Sequence, residues 1–560
     1  LTNKEIAKTF QFLGDIMELH GENPFKIRSY QNAYLTLRKL DQPLTELEDK
    51  AIAAIKGIGA AISAKIRELL NTGKMSTLEE YRSKTPVGVQ EMLHIKGFGP
   101  KKIRVIWQEL DIETIGELLY AVNENRLLEL KGFGKKTQDE LRQQLEYYLK
   151  SRNQFHYAAL EKEALQLVAA LQKALPQARI ELTGAIRRKA NVLSQIELLV
   201  ASADELEPVL AKIGIQAQKS DSGSIQALSA NELPVTIYLC EATEFGSKQF
   251  RFTAAPEFLQ AFLAKNPGQD FRDLAQESDI FAQVQLPFLE PELRESAFSL
   301  DLALAGKKPI LIEAADIKGV IHSHSTYSDG LHSLRDMATY TRSQGFEYLV
   351  ITDHSKAAFY ANGLQPERVW QQMSEIDALN QELAPFRIFK GIESDILNDG
   401  SLDYEPDVLA AFDLIIASVH TNLRMDQEKA TARLIKAIEN PYTTILGHPT
   451  GRLLLSREGY PIDHRKVIDA CVSNGVVIEL NASPYRLDLD WTWIPYVLER
   501  GGMIAINPDA HSQEGIHDIH FGVASARKGG LSSAQCLNTL GLNAFDTWIK
   551  QRKTRGLTSH

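Results

Sequence analysis

The sequence predicts a multidomain α+β and α/β chain, with a helical N-terminal region, a mixed middle segment and a parallel (β/α) barrel towards the C-terminal end. Three observations carry this reading. A Lys-Gly-x-Gly pattern recurs at "IKGIGAAIS" from residue 55, "IKGFGPKKI" from 95 and "LKGFGKKTQ" from 130. The stretch "GAIRRKANVLSQIELLVAS", 184 to 202, reads as a turn leading into a strand. Beyond residue 318, seven apolar, β-branched runs alternate with helical patterns, as in a parallel strand-helix fold.

Composition sets the limits. With 560 residues, 44% hydrophobic and 24% charged, the chain can bury several cores, roughly three to five units. No apolar run approaches the ~20 residues that a membrane-spanning helix needs, and "LTNKEIAKTF" lacks the basic-then-apolar pattern of a signal peptide. A cytoplasmic monomer without a membrane partner is expected. Cys240, Cys471 and Cys536 stand far apart in apolar or helical contexts, so core thiols are expected rather than a disulfide framework.

The N-terminal region concentrates positive charge. Between Lys56 and Lys102 there are nine Lys or Arg against four Glu, in a chain whose net charge is -10. A solvated helical face is the bland reading of such a run, and a phosphate-facing surface the functional one. The threefold repeat favours the second. In each copy an apolar segment leads through Gly-x-Gly into a new helix, whose N-terminal N–H groups can approach a phosphate. The pattern resembles the helix-hairpin-helix motif, which binds DNA backbones without reading bases. Its expected DNA contacts are Lys56, Gly57 and Gly59, then Lys96, Gly97, Gly99, Lys101 and Lys102, then Lys131, Gly132, Gly134 and Lys135.

The order "NPFKIRSY", "IKGIG", "NTGK", "IKGFG" resembles the N-terminal part of family-X DNA polymerases, and the likeness is collinear over about the first 310 residues. It implies a Schiff-base lysine at Lys65, which would need its amine partly deprotonated; a phosphate contact is the other reading of that lysine. It also implies a nucleotidyltransferase-like palm, with Gly-Ser-x-Arg-Arg followed by Asp-x-Asp on a strand and a third Asp on a neighbouring strand. Here those positions hold Ala185, Gln195, Glu197 and Thr236, and the downstream nucleotide contact reads "FTAAPEF". Paired Mg²⁺ ions need charged oxygen ligands in strict geometry, so the polymerase site is expected to be degenerate. Arg187 and Arg188 remain and could hold a phosphate.

The chemistry is therefore expected in the barrel. Of 14 histidines, 11 lie beyond residue 320. The seven runs "GVIHSH", "YLVITDH", "FKGIESD", "LIIASVH", "TTILGHP", "VVIELNA" and "MIAINPDAH" each end in polar residues. In a parallel barrel such strand ends converge on one rim, where active sites lie. His322, His324, Asp329, His354, Glu393, His420, His448, Asp509 and His511 are the candidate ligands. Any one of them alone could be a hydrogen-bonded core residue, but so many buried polar groups need partners. Mixed imidazole and carboxylate donors suit Mn²⁺, Zn²⁺ or Fe²⁺, and nine donors suit two or three ions. Glu393 is expected to bridge ions and to act in catalysis with Asp509 and His511. Arg452 is the candidate phosphate clamp, with a surface salt bridge as its alternative. His332, His464, His517 and His520 fall outside the strand-end pattern.

Residues 319 to 530 resemble the PHP domain of polymerases and histidinol phosphatases, which implies a distorted (β/α)7 barrel and phosphoester hydrolysis at a trinuclear cluster. The whole chain is similar to bacterial family-X polymerases with a C-terminal PHP domain and 3′→5′ exonuclease activity. The expected domains are 1–75, lyase-like with a helix-hairpin-helix; 76–150, fingers-like; 151–230, palm; 231–313, thumb; and 319–560, PHP phosphoesterase. The leading expectation is a DNA 3′-end nuclease acting on gapped, nicked or 3′-ended DNA without sequence preference. Residual nucleotidyl transfer, a small-molecule phosphatase and a non-catalytic DNA scaffold are the alternatives.

Overall fold

The computed structural model describes residues 1–40, 42–95, 98–128, 130–150, 154–221 and 223–558. Two compact units emerge, Leu1–Tyr148 and Leu149–His560.

The first unit is helical. Helix α1 (Asn3–Leu19) begins at a capping box in which Thr2 and Glu5 satisfy each other's backbone N–H groups. It packs through Ile6, Phe10, Leu13 and Met17 against Ile27, Tyr30 and Leu37 of α2 (Pro24–Leu37). Helices α3 (Ala60–Thr72), α4 (Pro100–Leu110), α5 (Ile115–Asn123) and α6 (Lys135–Lys150) follow. Because α1 also packs on α4, the expected boundary at residue 75 falls within one compact unit.

The second unit opens with a five-stranded sheet. Its strands are β1 (Arg179–Leu182), β2 (Ile196–Ala201), β3 (Ala217–Lys219), β4 (Ile225–Leu228) and β5 (Pro234–Leu239), in the order β1-β2-β5-β4-β3. Only the β2–β5 pair is parallel. Since β5 lies between β2 and β4, the sheet continues past the expected palm limit of 230. The helical segment that follows starts at Phe245 and is built on Phe250, Phe258, Phe262 and Phe281.

The remainder is the expected barrel. Seven parallel strands, β6 (Gly319–Val320), β7 (Tyr348–Ile351), β8 (Arg387–Asp395), β9 (Leu414–Ser418), β10 (Ile445–Leu446), β11 (Val477–Asn481) and β12 (Ile504–Asn507), follow one another in spatial order. Their buried Val, Ile and Leu side chains face a covering layer of helices on one side and the barrel interior on the other. The first and last strands meet only past their ends, through a parallel bridge between Ser323 and Ala510. There His324 N–H donates to Ala510 O (2.8 Å) and Ala510 N–H donates to His322 O (3.2 Å). The barrel is thus nearly closed, and it closes at its carboxyl rim. Cys471 and Cys536 are buried as expected, while Cys240 is only half-buried.

Candidate functional site

The carboxyl rim gathers all nine strand-end candidates. Among the described residues, His324, Asp329, His354 and His511 form one group of closely spaced donor atoms; His322, His324, Glu393 and Asp509 form a second; and His354, Glu393 and His420 form a third. Glu393 is common to two of them. Its Oε1 lies 2.9 Å from His448 Nε2, 3.1 Å from His420 Nε2 and 3.4 Å from His322 Nε2, and its Oε2 lies 3.0 Å from His354 Nδ1. Asp509 Oδ1 stands 3.0 Å from His324 Nε2 and 3.3 Å from His322 Nε2. Asp329 reaches His354 Nε2 at 3.5 Å and His511 Nε2 at 3.4 Å.

The backbone bends to make this arrangement. His322 and Asp509, on either side of the closing bridge, adopt positive φ values of 68° and 53°. Non-glycine residues rarely do so, and such strain concentrates at functional sites.

Electrostatics point the same way. Burial alone would raise the three carboxyl groups, yet neighbouring histidines hold Asp329, Glu393 and Asp509 well below their ordinary range. Burial opposes protonation of His354 as well, but Asp329 and Glu393 overcome it and lift the imidazole to about 10. His324 is pushed down to about 3 by burial and by the charges of His511 and His354. Buried carboxylates at this density require positive charge beside them. Several donors, among them His324 Nδ1, both His354 nitrogens, Asp329 Oδ2 and Glu393 Oε2, are buried without a hydrogen-bond partner. That donor set fits divalent ions held by imidazole and carboxylate groups.

An outer layer of acids and amides, which the strand-end pattern does not single out, orients the inner one. Glu479 Oε2 lies 2.7 Å from His322 Nδ1, and its Oε1 accepts His448 N–H at 3.0 Å. Asp395 lies 3.2 Å from His420 Nδ1, and Asn481 donates to Asp509 at 3.0 Å. Asp353 accepts from Ser325, Ser328 and Gln372, which fixes the loop between His324 and Asp329.

Arg452 forms a salt bridge with Asp490, its alternative reading. Its Nε donates to Arg486 O at 3.0 Å, and its two terminal nitrogens donate to Asp490 and to Leu487 O. These contacts brace the segment from Arg486 to Asp490. The four other histidines lie apart from the cluster: His332 accepts Gln513 N–H, His464 stacks on Trp493, His517 bonds Tyr340 and His520 bonds Glu161.

In the five-stranded sheet, the register pairs Glu197 with Thr236 on adjacent parallel strands. Thr236 Oγ1 bonds Gln195 and Gln226, each at 2.9 Å. Glu197 accepts Ala185 N–H at 3.1 Å and Tyr238 O–H at 3.3 Å. Burial keeps its carboxyl above the ordinary range despite these bonds. Tyr238 in turn stacks on Phe252 of "FTAAPEF", with ring centroids 4.2 Å apart. Gln195 and Thr236 bring no charge to these positions. Arg187 and Arg188, which could hold a phosphate on the sequence reading, are engaged with acids. Arg187 makes a two-pronged contact with Glu277 (3.0 and 2.9 Å), and Arg188 bonds Glu295 (3.0 Å) and Thr253 O (2.7 Å). They tie the turn to the helical segment behind it.

One hydrogen bond recurs at the glycine turns of the N-terminal unit. The residue between the glycines donates its N–H three residues back: Ile58 to Ile55 (2.9 Å), Phe98 to Ile95 (3.1 Å) and Phe133 to Leu130 (3.1 Å). Those three side chains are buried, while Lys56, Lys101, Lys131 and Lys135 are exposed and Lys102 is half-buried. Gly57 and Gly132 hold φ values of 91° and 92°, a conformation that requires glycine. Gly59, Gly99 and Gly134 have open space where a Cβ would stand. Lys96 and Gly97 lie outside the described residues. Lys65 Nζ donates to Thr77 Oγ1, and Arg67 pairs with Asp49.

Comparison with known proteins gives the same division. Residues 1–75 match a helix-hairpin-helix domain, residues 89–146 a SAM-like helix-hairpin-helix tandem, and residues 321–483 the PHP domain. The DNA polymerase/3′-5′ exonuclease PolX of Bacillus subtilis (strain 168) is 33% identical over 569 aligned positions, covering 98% of this chain and 99% of that protein. A probable phosphatase of Thermoanaerobacter sp. (strain X514) is 28% identical over 243 positions, covering 39% of this chain and 96% of its own length. Helix-hairpin-helix turns, a buried acid-histidine rim on a parallel barrel and this end-to-end similarity agree: the chain belongs to the bacterial PolX branch of the family-X DNA polymerases, with a C-terminal PHP domain.

Proposed function

We propose that the protein is a metal-dependent 3′→5′ exonuclease or 3′-end-processing phosphoesterase whose polymerase core is inactive or severely impaired. One contrast carries the reading. The barrel rim brings five histidines, His322, His324, His354, His420 and His448, within 3.7 Å of Glu393, whereas two of the three acid positions in the sheet are a neutral, mutually hydrogen-bonded Gln195–Thr236 pair. The residues that would hold two or three ions are His322, His324, Asp329, His354, Glu393, His420, His448, Asp509 and His511. Divalent ions there would supply Lewis acidity, an activated water and stabilisation of the leaving oxygen.

The protein's own groups do the rest. Glu393 spans the donor groups, Glu479 and Asp395 keep His322 and His420 oriented, and the positive φ at His322 and Asp509 aims both at the shared centre. The glycine turns would grip the DNA backbone through Lys56, Lys101, Lys102, Lys131 and Lys135, independently of base sequence.

Labelled gapped DNA incubated with Mn²⁺, with and without dNTPs, tests the proposal. Shortening of the 3′ strand is expected in both cases, and templated lengthening would reject it. Nucleotidyl transfer through Glu197 is the second reading. It is favoured by the intact β2–β5 register that pairs Glu197 with Thr236 and by the polymerase activity in the name of the B. subtilis relative.

A further inference from the structure

We propose that Phe359 is the stacking platform for the 3′-terminal base of a single-stranded DNA end entering the metal centre. This rests on the phosphoesterase reading above and adds a positioning residue to it. A single exposed apolar side chain needs no special account; this one is distinguished by where it is held and by how firmly. Phe359 is 80% exposed and contributes nothing to the barrel core. It sits on the loop that springs directly from His354, one of the nine rim donors.

Two aromatic rings step outward from the cluster. The Tyr360 ring lies 6.4 Å from the His354 ring, and the Phe359 ring lies 6.0 Å from that of Tyr360 at an interplanar angle of 77°. The loop that carries them is braced throughout. Ala357 N–H donates to Asp403 at 2.6 Å, Ala358 N–H to Ser355 O at 3.0 Å, and Leu364 N–H to His354 O at 2.9 Å. A Cβ on Gly363 would come within 1.9 Å of Ser355 O, so only glycine lets the loop fold back this closely. Arg368 donates to Asn362 O at 2.9 Å and holds the far side.

The result is a rigid aromatic face offered to solvent at the rim of a phosphoester site. Single-stranded nucleic acids are held by such faces, because every base has a π-surface and stacking tolerates any sequence. Small phosphoesters have no base to place there, so the residue also separates a DNA substrate from a small-molecule one.

The test uses the full chain, its Phe359→Leu and Phe359→Trp variants, and a single-stranded oligonucleotide with 2-aminopurine at its 3′ end. Because the loop's hydrogen bonds do not involve the Phe359 side chain, the variants are expected to fold. With Ca²⁺ present, binding should quench the probe in the parent and the Trp variant, and the quench should be lost in the Leu variant. With Mn²⁺, the Leu variant should raise KM for the oligonucleotide by roughly 5- to 150-fold. Hydrolysis of glycerol 2-phosphate, a small phosphoester without an aromatic ring, should be unchanged. Equal quench and equal KM in the parent and Leu variant would overturn the proposal, as would an unquenched probe in the parent. If the parent hydrolyses neither substrate, the phosphoesterase reading fails, and the quench measurement still decides the stacking role.

Discussion

His322 Nδ1 lies 2.7 Å from Glu479 Oε2, with both side chains fully buried in the barrel. An imidazole held by a carboxylate on one nitrogen is fixed in ring orientation and made more basic at the other. Glu479→Gln keeps a hydrogen-bonding group in the same space but removes the charge. Metal affinity, measured by competition with a chelator, should fall about 10- to 100-fold while the thermal transition moves little.

Replacing His322 and His324 together by Ala removes donors from two of the three groups. Hydrolysis of a 3′-labelled oligonucleotide should be abolished and DNA affinity should stay near the parent value, since both side chains are buried at the rim. Cleavage at the parent rate would place the chemistry elsewhere.

The glycine turns predict a salt-sensitive grip. Changing Lys96, Lys101 and Lys102 to Ala should weaken binding to all DNA sequences alike. It should also reduce the slope of log affinity against log salt by about one for each lost phosphate contact. A loss that depends on base sequence would contradict backbone binding.

Primer extension examines the sheet. The unaltered chain should extend a primed gap negligibly with Mg²⁺ or Mn²⁺. Placing Asp at 195, 197 and 236 together should give only weak extension, because Tyr238 stacked on Phe252 still fills the neighbouring space. Robust templated synthesis by the parent chain, unaffected by mutation of Glu197, would refute the impairment.

Asp15 supplies a pH signature in the first unit. Burial, and then the charge of Glu18, raise its carboxyl from 3.8 to about 6. The folded state therefore holds the proton more tightly than the unfolded chain does. The favourable contribution is complete below the unfolded value and is lost as pH rises through about 6. Asp15→Asn should raise the melting temperature at pH 8 and leave it nearly unchanged at pH 4. The effect should be well under ~3 kcal/mol, because the group remains partly solvated.

The barrel and its rim were legible because strand-terminal polar residues in a parallel barrel must share one face, so "VIHSH", "VITDH" and "INPDAH" could be read without knowing the fold in detail. Glu479 and Asp395 were not. They sit inside the same runs as apolar core residues, and no local pattern says that one acid meets a ligand's second nitrogen. The contacts of Arg452, Arg187 and Arg188 were hidden for a related reason. Their partners, Asp490, Glu277 and Glu295, are distant in sequence, and only the folded chain shows that the guanidinium groups are already occupied. The sheet runs past the limit drawn at 230 because β5 enters between two earlier strands, a pairing that sequence order does not show.

The bridge between Ser323 and Ala510 makes the rim contingent on closure of the barrel. His324 and Asp509, joined across that seam, are 185 residues apart, so the centre cannot exist until the last strand has docked against the first. A copy cut before residue 509 would keep its helix-hairpin-helix turns but lack Asp509 and His511, two of the nine rim candidates.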